Sequence, residues 1–321
     1  MQDLRSRTRS VGGHRLGVIF AVITAVISGF AVFINGFGLR AWAGTADPTT
    51  YTTFKNVVAG SLLAGIAVIA TRRGSKQGLT RPTSGGQWAS LGLIAVFGGA
   101  IAFALFFEGF ARASSSQAAF IHKTLIIWVG ILAVGLLHEK IRPVYFVAIA
   151  LLVAGQFLLV GGVSEVSFGV GEAMMLAATL LWSVEVIIAK RLLPNLSSLT
   201  VGVARMAGGA LVLVVYGFAM GGFAAMGQVT LTQIGWILVV GTVLSGFVGF
   251  WYAALARAPA IEVTAILVGG AVLTAVLNVG FRGAPIPSLS GLAMVATGAG
   301  IVAVVAYMKE SRHPEPSLVE P

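Results

Sequence analysis

The sequence predicts an all-α integral membrane protein: ten transmembrane helices arranged as two inverted five-helix repeats, both termini cytoplasmic. Three observations carry this prediction. The composition is too apolar for a water-facing surface, the apolar stretches are separated by unevenly charged loops, and the two halves resemble each other at a nearly fixed offset.

Of 321 residues, 57% are hydrophobic and only 10% charged, and the mean hydropathy is +0.94. A soluble domain carries about 25% charged residues, so this chain lacks the groups to cover a globule in water and must use lipid as its solvent. The 42 glycines suit helices that pack closely inside a bilayer. A net charge of +10 could signal nucleic acid, but the basic residues are spread between apolar stretches instead of forming one patch. The expected partners are therefore a small-molecule substrate and membrane lipids, with no nucleic acid; the sequence leaves the oligomeric state open. Cysteine is absent, which excludes disulfides and thiol chemistry. The histidines at 14, 122, 138 and 313 have no metal-ligand spacing, so neither a metal nor a cofactor is expected.

A crossing needs roughly 20 apolar residues. The segments that qualify are 16–38, 53–71, 88–110, 115–137, 143–162, 169–189, 200–220, 233–256, 260–281 and 289–308. Arg5, Arg7, Arg9 and Arg15 precede the first, as in a signal peptide, but its apolar run is too long and no small-residue cleavage site follows. The resulting organisation is a basic cytoplasmic tail at 1–15, a first five-helix repeat at 16–162, a second at 163–308 and a cytoplasmic tail at 309–321. With the N-terminus inside, fifteen of the 21 Lys and Arg residues lie on the cytoplasmic side. Three lie outside (Arg40, Arg112 and Arg282) and three within segments (Lys55, Lys123 and Arg205). That bias follows the positive-inside rule, and nine or eleven crossings would scramble it.

The internal similarity sets the architecture. Phe110-Ala111-Arg112-Ala113 matches Leu255-Ala256-Arg257-Ala258 at an offset of 145, which also places Phe106-Phe107 on Trp251-Tyr252 and Gly155 on Gly300. Lys55 corresponds to Arg205 at an offset of 150. Because each half holds an odd number of crossings, the second enters the bilayer from the opposite side. Such inverted repeats characterise secondary transporters, with the substrate near the midplane between the halves.

Ionisable groups inside the bilayer are costly, so those within segments are candidate functional residues. Lys123 lies about 12 Å into the fourth segment at 1.5 Å per residue and is the leading candidate for lining a cavity. His122 beside it points about 100° away around the helix. Lys55 and Arg205 sit near the starts of equivalent helices, either snorkelling to the interface or acting as matched gate residues. Glu108 stands four residues before Arg112, the spacing of an intrahelical ion pair or of an outer gate partner. Glu185 has no opposite charge at helical spacing on its own segment, so its partner is another helix or a proton; it is the candidate proton-coupling carboxylate. Glu262 opens the ninth segment, where the positive end of a helix favours a carboxylate. Trp182 lies mid-segment, and Trp182, Trp251 and Tyr252 are candidate lining or packing residues. Gly241, Ser245, Gly249 and Ala253 form a small-residue stripe for close helix approach. No catalytic residue is assigned.

The stretch Trp251 to Ala260 (Trp-Tyr-Ala-Ala-Leu-Ala-Arg-Ala-Pro-Ala) resembles the aromatic-Ala-Leu-basic junction between spans eight and nine of the EamA-type members of the drug/metabolite transporter superfamily. Glu139-Lys140-Ile141 resembles that family's Gly-Glu-Arg-Leu-like turn, with His138 in place of the glycine, and Leu181-Trp182-Ser183 resembles its span-six motif. Lys55 and Arg205 resemble its basic residues in spans two and seven. Departures are Ser28-Gly29 without a tryptophan in the first segment, His122-Lys123 where the family's span-four proline stands, and Ala284 as counterpart of Glu139. The resemblance spans 16–308 and implies a secondary transporter, more in keeping with an exporter, in the cytoplasmic membrane. Its cargo would be a small polar metabolite such as an amino acid or organic anion. Competing readings are a non-transporting scaffold or sensor, and an enzyme acting on lipid-linked substrates. The enzyme would need acidic or histidine clusters, whereas Asp47 is the only aspartate beyond Asp3.

Overall fold

The computed structural model describes residues 2–113, 115–159, 168–284 and 286–308; the expected tail at 309–321 and the repeat boundary at 162/163 lie outside them. The described residues form helices and no strands: α1 Gln2–Trp42, α2 Pro48–Arg72, α3 Gly85–Arg112, α4 in two pieces (Ser115–Lys123 and Leu125–Leu137) and α5 Pro143–Leu159. The second half contributes α6 Val170–Leu192, α7 Ser198–Ala219, α8 Leu231–Leu255, α9 in two pieces (Ala260–Val268 and Gly270–Arg282) and α10 Leu289–Met308. Among the described residues nine helices are long and apolar enough to cross a membrane, and α5 is a shorter apolar helix of 17 residues. Large apolar side chains such as Val26, Ile66, Phe146 and Val215 stand exposed around the bundle, a surface suited to lipid and not to water.

Local chemistry starts and stops these helices, and it recurs between the halves. Asp47 accepts a 2.7 Å bond from the Thr50 amide with Pro48 in the first helical position, so α2 begins there. Ser197, 150 residues on, caps α7 through the Thr200 amide at 3.1 Å. Ser84 and Thr230 cap α3 and α8 through the amides of Gln87 and Gln233. The second piece of α4 ends on His138 in the left-handed conformation (φ 55°), and α9 ends on Gly283 at φ 60°, 145 residues on. A left-handed residue terminates a helix and is usually glycine, which explains the position that His138 occupies.

Three features differ from the expected pattern. The first helix begins at Gln2, taking in the stretch assigned to a tail; beside a long apolar helix that supplies the nucleus, only Gly12-Gly13 opposes propagation. α3 and α7 each contain a π-helical stretch, Ile94–Ile101 and Ala204–Gly208. Segments four and nine are interrupted, at Thr124 and Gly269. In each the interrupting amide bonds three residues back (Thr124 N to Ile121 O at 3.1 Å, Gly269 N to Ile266 O at 3.0 Å). In each its carbonyl accepts from three residues on (Ile127 N at 2.9 Å, Val272 N at 3.1 Å), so both helices tighten for one step at positions 145 apart.

Packing respects the same relation. α1 lies along α8 as α6 lies along α3, while α5 pairs with its own counterpart α10. At the α5–α10 crossing a Cβ on Gly155 would stand 2.8 Å from the Gly291 carbonyl, so the backbones approach as only small residues allow. The two halves are thus interleaved, and a space is left where α1, α3, α4, α6 and α8 face each other.

Candidate functional site

A cavity between the halves encloses an empty volume of ≈ 1020 Å³, its open mouth included. Its wall is mostly aromatic, with Phe103, Phe106, Phe107 and Phe110 from α3, Trp182 from α6, and Phe247 and Trp251 from α8. Among these rings stand Lys55 from α2, Glu185 from α6, Arg205 from α7, His122 from α4 and Asn35 from α1.

The charged residues are buried, not snorkelling: Lys55 is 2% exposed, Glu185 2% and Arg205 5%. Glu185 accepts a hydrogen bond from the Tyr252 hydroxyl on one oxygen, and its other oxygen lies 3.6 Å from Arg205 Nη2. A carboxylate held between a phenol and a guanidinium from two other helices can hold or release a proton without leaving its place. Lys55 has a different environment. Its ammonium lies 3.1 Å from the centre of the Phe107 ring, 5.5 Å from that of Tyr51 and 5.3 Å from that of Phe103. Arg205 lies 5.5 Å from the same Phe103 ring, so one aromatic ring is shared by both cations.

The repeat relates these groups. Lys55 over Phe107 corresponds to Arg205 near Tyr252, whose ring lies 6.0 Å from the guanidinium. Glu185 corresponds, 150 residues back, to Asn35, which accepts a 3.2 Å bond from the Tyr51 hydroxyl. The second half therefore carries a carboxylate, a phenol and a guanidinium where the first carries an amide, a plain phenyl ring and an ammonium.

The π-helical stretches place this machinery. The stretch in α3 frees carbonyls, so that Gly98 O accepts from Trp182 Nε1 at 3.0 Å and Gly99 O from Asn56 at 3.2 Å. The stretch in α7 contains Arg205 itself, and the Arg205 carbonyl packs against Gly99, where a side chain would not fit.

The remaining candidates are distributed as follows. His122 lines the cavity edge-on to Trp182, with centroids 5.3 Å apart. Lys123 is turned out of it, donating at 3.4 Å to both the Ser28 hydroxyl and the Leu267 carbonyl, just before the α9 interruption. The order expected for this pair is thus reversed, because the helix turn that aims His122 inward turns Lys123 towards α1 and α9. Glu108 stays outside the lining, bonded to Arg112 at 2.5 Å and to the Thr49 hydroxyl at 2.8 Å. Glu262 does not cap its own helix. It meets His14 at 2.7 Å and the Tyr145 hydroxyl at 2.9 Å, while Glu139 accepts from the Ala260 and Ile261 amides at the start of α9. Asn35, Asn56, Tyr51 and Phe103 were not anticipated. Asn35 was within reach of the sequence, since the offset that pairs Lys55 with Arg205 also pairs it with Glu185.

At the end of the bundle that carries residue 14 the helices close on one another. Besides the Glu139 and Glu262 contacts, Lys190 donates to the Leu255 and Ala258 carbonyls at 2.6 Å each, and Arg191 to Leu136 O at 2.9 Å. From residue 14 to Ser28 in the cavity wall is about 21 Å along α1, so the cavity begins well beyond this seal.

Interleaved repeats, interrupted helices and a charged cavity between them define a multi-pass membrane protein of transporter type. A model of the EamA-like transporter family matches residues 15–161 and again residues 169–306, and the chain belongs to that family. Twenty-nine chains of solved structures match it. One of them, titled only "Crystal structure of protein", shares 17% sequence identity with a TM-score of 0.69 over 90% of this chain and 98% of that one, which is a likeness of fold. No curated protein matches the chain.

Proposed function

We propose that the protein is a secondary transporter that exports a small polar metabolite, an amino acid or organic anion, across the cytoplasmic membrane by alternating access. Ten crossings with both termini in the cytoplasm complete the reading. The sealed end is then cytoplasmic, and the cavity belongs to an outward-facing state. One observation carries the proposal: the helix interruptions at Thr124 and Gly269 are 145 residues apart and flank a cavity that holds Lys55, Glu185 and Arg205. Paired interruptions let each half bend at the same place in its own sequence, which is what exchange between two inverted conformations requires. Glu185 is the proton-coupling carboxylate in this scheme, because its partners come from α7 and α8 and a shift of either helix changes its environment.

The test is counterflow of labelled amino acids and organic acids in proteoliposomes, with and without an imposed pH gradient. Gradient-driven flux that is lost in Glu185→Gln while counterflow survives is the expected result. Failure of every cargo to exchange would refute carriage, and an unchanged response of Glu185→Gln to the gradient would remove that residue as the coupling site.

A further inference from the structure

The charge balance of the cavity narrows the cargo, provided that the cavity is the cargo site proposed above. Glu185 is engaged by the Tyr252 hydroxyl and faced by Arg205, so the one carboxylate in the wall is matched to the one guanidinium. Lys55 is left over. Among the described residues its ammonium has no hydrogen-bond acceptor and no carboxylate partner, only the ring faces of Tyr51, Phe103 and Phe107. An ammonium out of water is expensive unless an anion meets it, and ring faces repay only part of that cost. Further donors without acceptors stand in the same wall: Arg205 Nε and Trp251 Nε1 are both buried and unbonded. The wall therefore offers an excess of positive charge and hydrogen-bond donors, and the shared Phe103 ring keeps the two cations within about 11 Å of each other. What surrounds them is flat and apolar.

We propose that the cavity selects an organic monoanion with a flat apolar body over a zwitterion or cation of the same shape. Its anionic group lies against Lys55 and Arg205, and its body lies among Phe106, Trp182 and Phe247. A free ammonium on the ligand would find Glu185 already taken and would face Lys55 with like charge. Lys55 is then the specificity-determining residue, and its neutral counterpart in charge terms is absent from the second half, where Arg205 has Glu185.

The experiment uses three probes of one shape, 3-phenylpropionate, phenylalanine and 3-phenylpropylamine, titrated into the purified protein at neutral pH. Binding is read from the fluorescence of the cavity tryptophans, and flux from proteoliposomes. The anion is expected to bind at least tenfold tighter than either other probe. Lys55→Gln should abolish that preference and Lys55→Arg should restore it. If Lys55→Gln fails to fold, the preference of the unaltered protein and of Lys55→Arg still decides. Equal or tighter binding of phenylalanine or the amine overturns the proposal, as does binding of none of the three. Binding of the anion without flux keeps the anion site and counts against transport, whereas flux of the amine or zwitterion in preference to the anion keeps transport and removes this inference.

Discussion

Removing one member of the Glu185–Arg205 pair should damage the protein more than removing both. The oxygen and nitrogen are 3.6 Å apart and the side chains are 1% and 6% exposed, so water screens the pair little. At an effective dielectric constant of about 20, two unit charges at that separation attract by about 4–5 kcal/mol. Desolvation offsets much of this, but leaving one charge buried alone costs about 3–5 kcal/mol. Glu185→Gln and Arg205→Gln are therefore each expected to destabilise by about that amount, and the double variant by less than their sum, with a coupling of about 1–3 kcal/mol. Tyr252 bonds the carboxylate as well, so Tyr252→Phe should couple to Glu185→Gln but not to Lys55→Gln, whose ammonium touches rings only. The assay is equilibrium unfolding in mixed micelles, run as a double-mutant cycle. Additive effects of the two charge removals would show that the pair is not energetically linked and would refute the reasoning from burial and distance.

Three further outcomes follow from individual contacts. Gly60→Ala should destabilise by about 1–3 kcal/mol, measured by thermal melting in detergent, because its Cβ would stand 2.8 Å from the backbone of Ala207 and force α2 from α7; a neutral effect would mean that the two helices are not held together there. His138→Gly should stabilise by about 1 kcal/mol in the same assay, since His138 is exposed and left-handed and glycine adopts that conformation without penalty; a loss of stability would assign its imidazole a contact of its own. Glu139→Gln should raise labelling of a single cysteine placed at Val18, read with a membrane-impermeant thiol reagent on the side that bears the N-terminus. The start of α9 loses its charged acceptor, and the chain has no cysteine to give background.

The helices were legible because lipid enforces them: an apolar run of sufficient length has few other stable conformations in a bilayer. Charge asymmetry and the Phe-Ala-Arg-Ala echo then supplied the order of the repeats. What the sequence hid is local. Nothing in Ile94–Ile101 distinguishes a π-helical stretch from an α-helical one, since its consequence, the freeing of the Gly98 and Gly99 carbonyls, depends on Trp182 and Asn56 arriving from α6 and α2. The interruption at Thr124 was likewise hidden, although Gly269 at the equivalent position hints at one. In the site, ionisable residues announced themselves by their cost in lipid, whereas Phe103, which joins both cations, looks like any other phenylalanine in an apolar run. Lys123 was overvalued for the same reason. Depth in a segment signals burial, but it does not say which side of the helix meets the cavity.

The two ends of the bundle are related by the repeat but are not chemically equivalent, and this bears on any exchange between them. At the sealed end, Glu139 accepts from the first amides of α9, and Glu262 joins His14 and Tyr145. The residues that would stand in those places at the opposite end are Ala284 and Gln117, with Ser290 for Tyr145. A seal built there would lack both carboxylates, and the first amides of α4 would have no acidic acceptor, an interaction worth about 0.5–2 kcal/mol at a helix start. Arg112 and Arg257, by contrast, fold back in the same way onto the carbonyl four residues before them, at 2.6 and 2.7 Å. The asymmetry is therefore confined to the acidic residues and does not extend to the basic ones. On the alternating-access reading, the conformation with the N-terminal end closed is the more stable of the two, and bound cargo must supply the difference to reverse it.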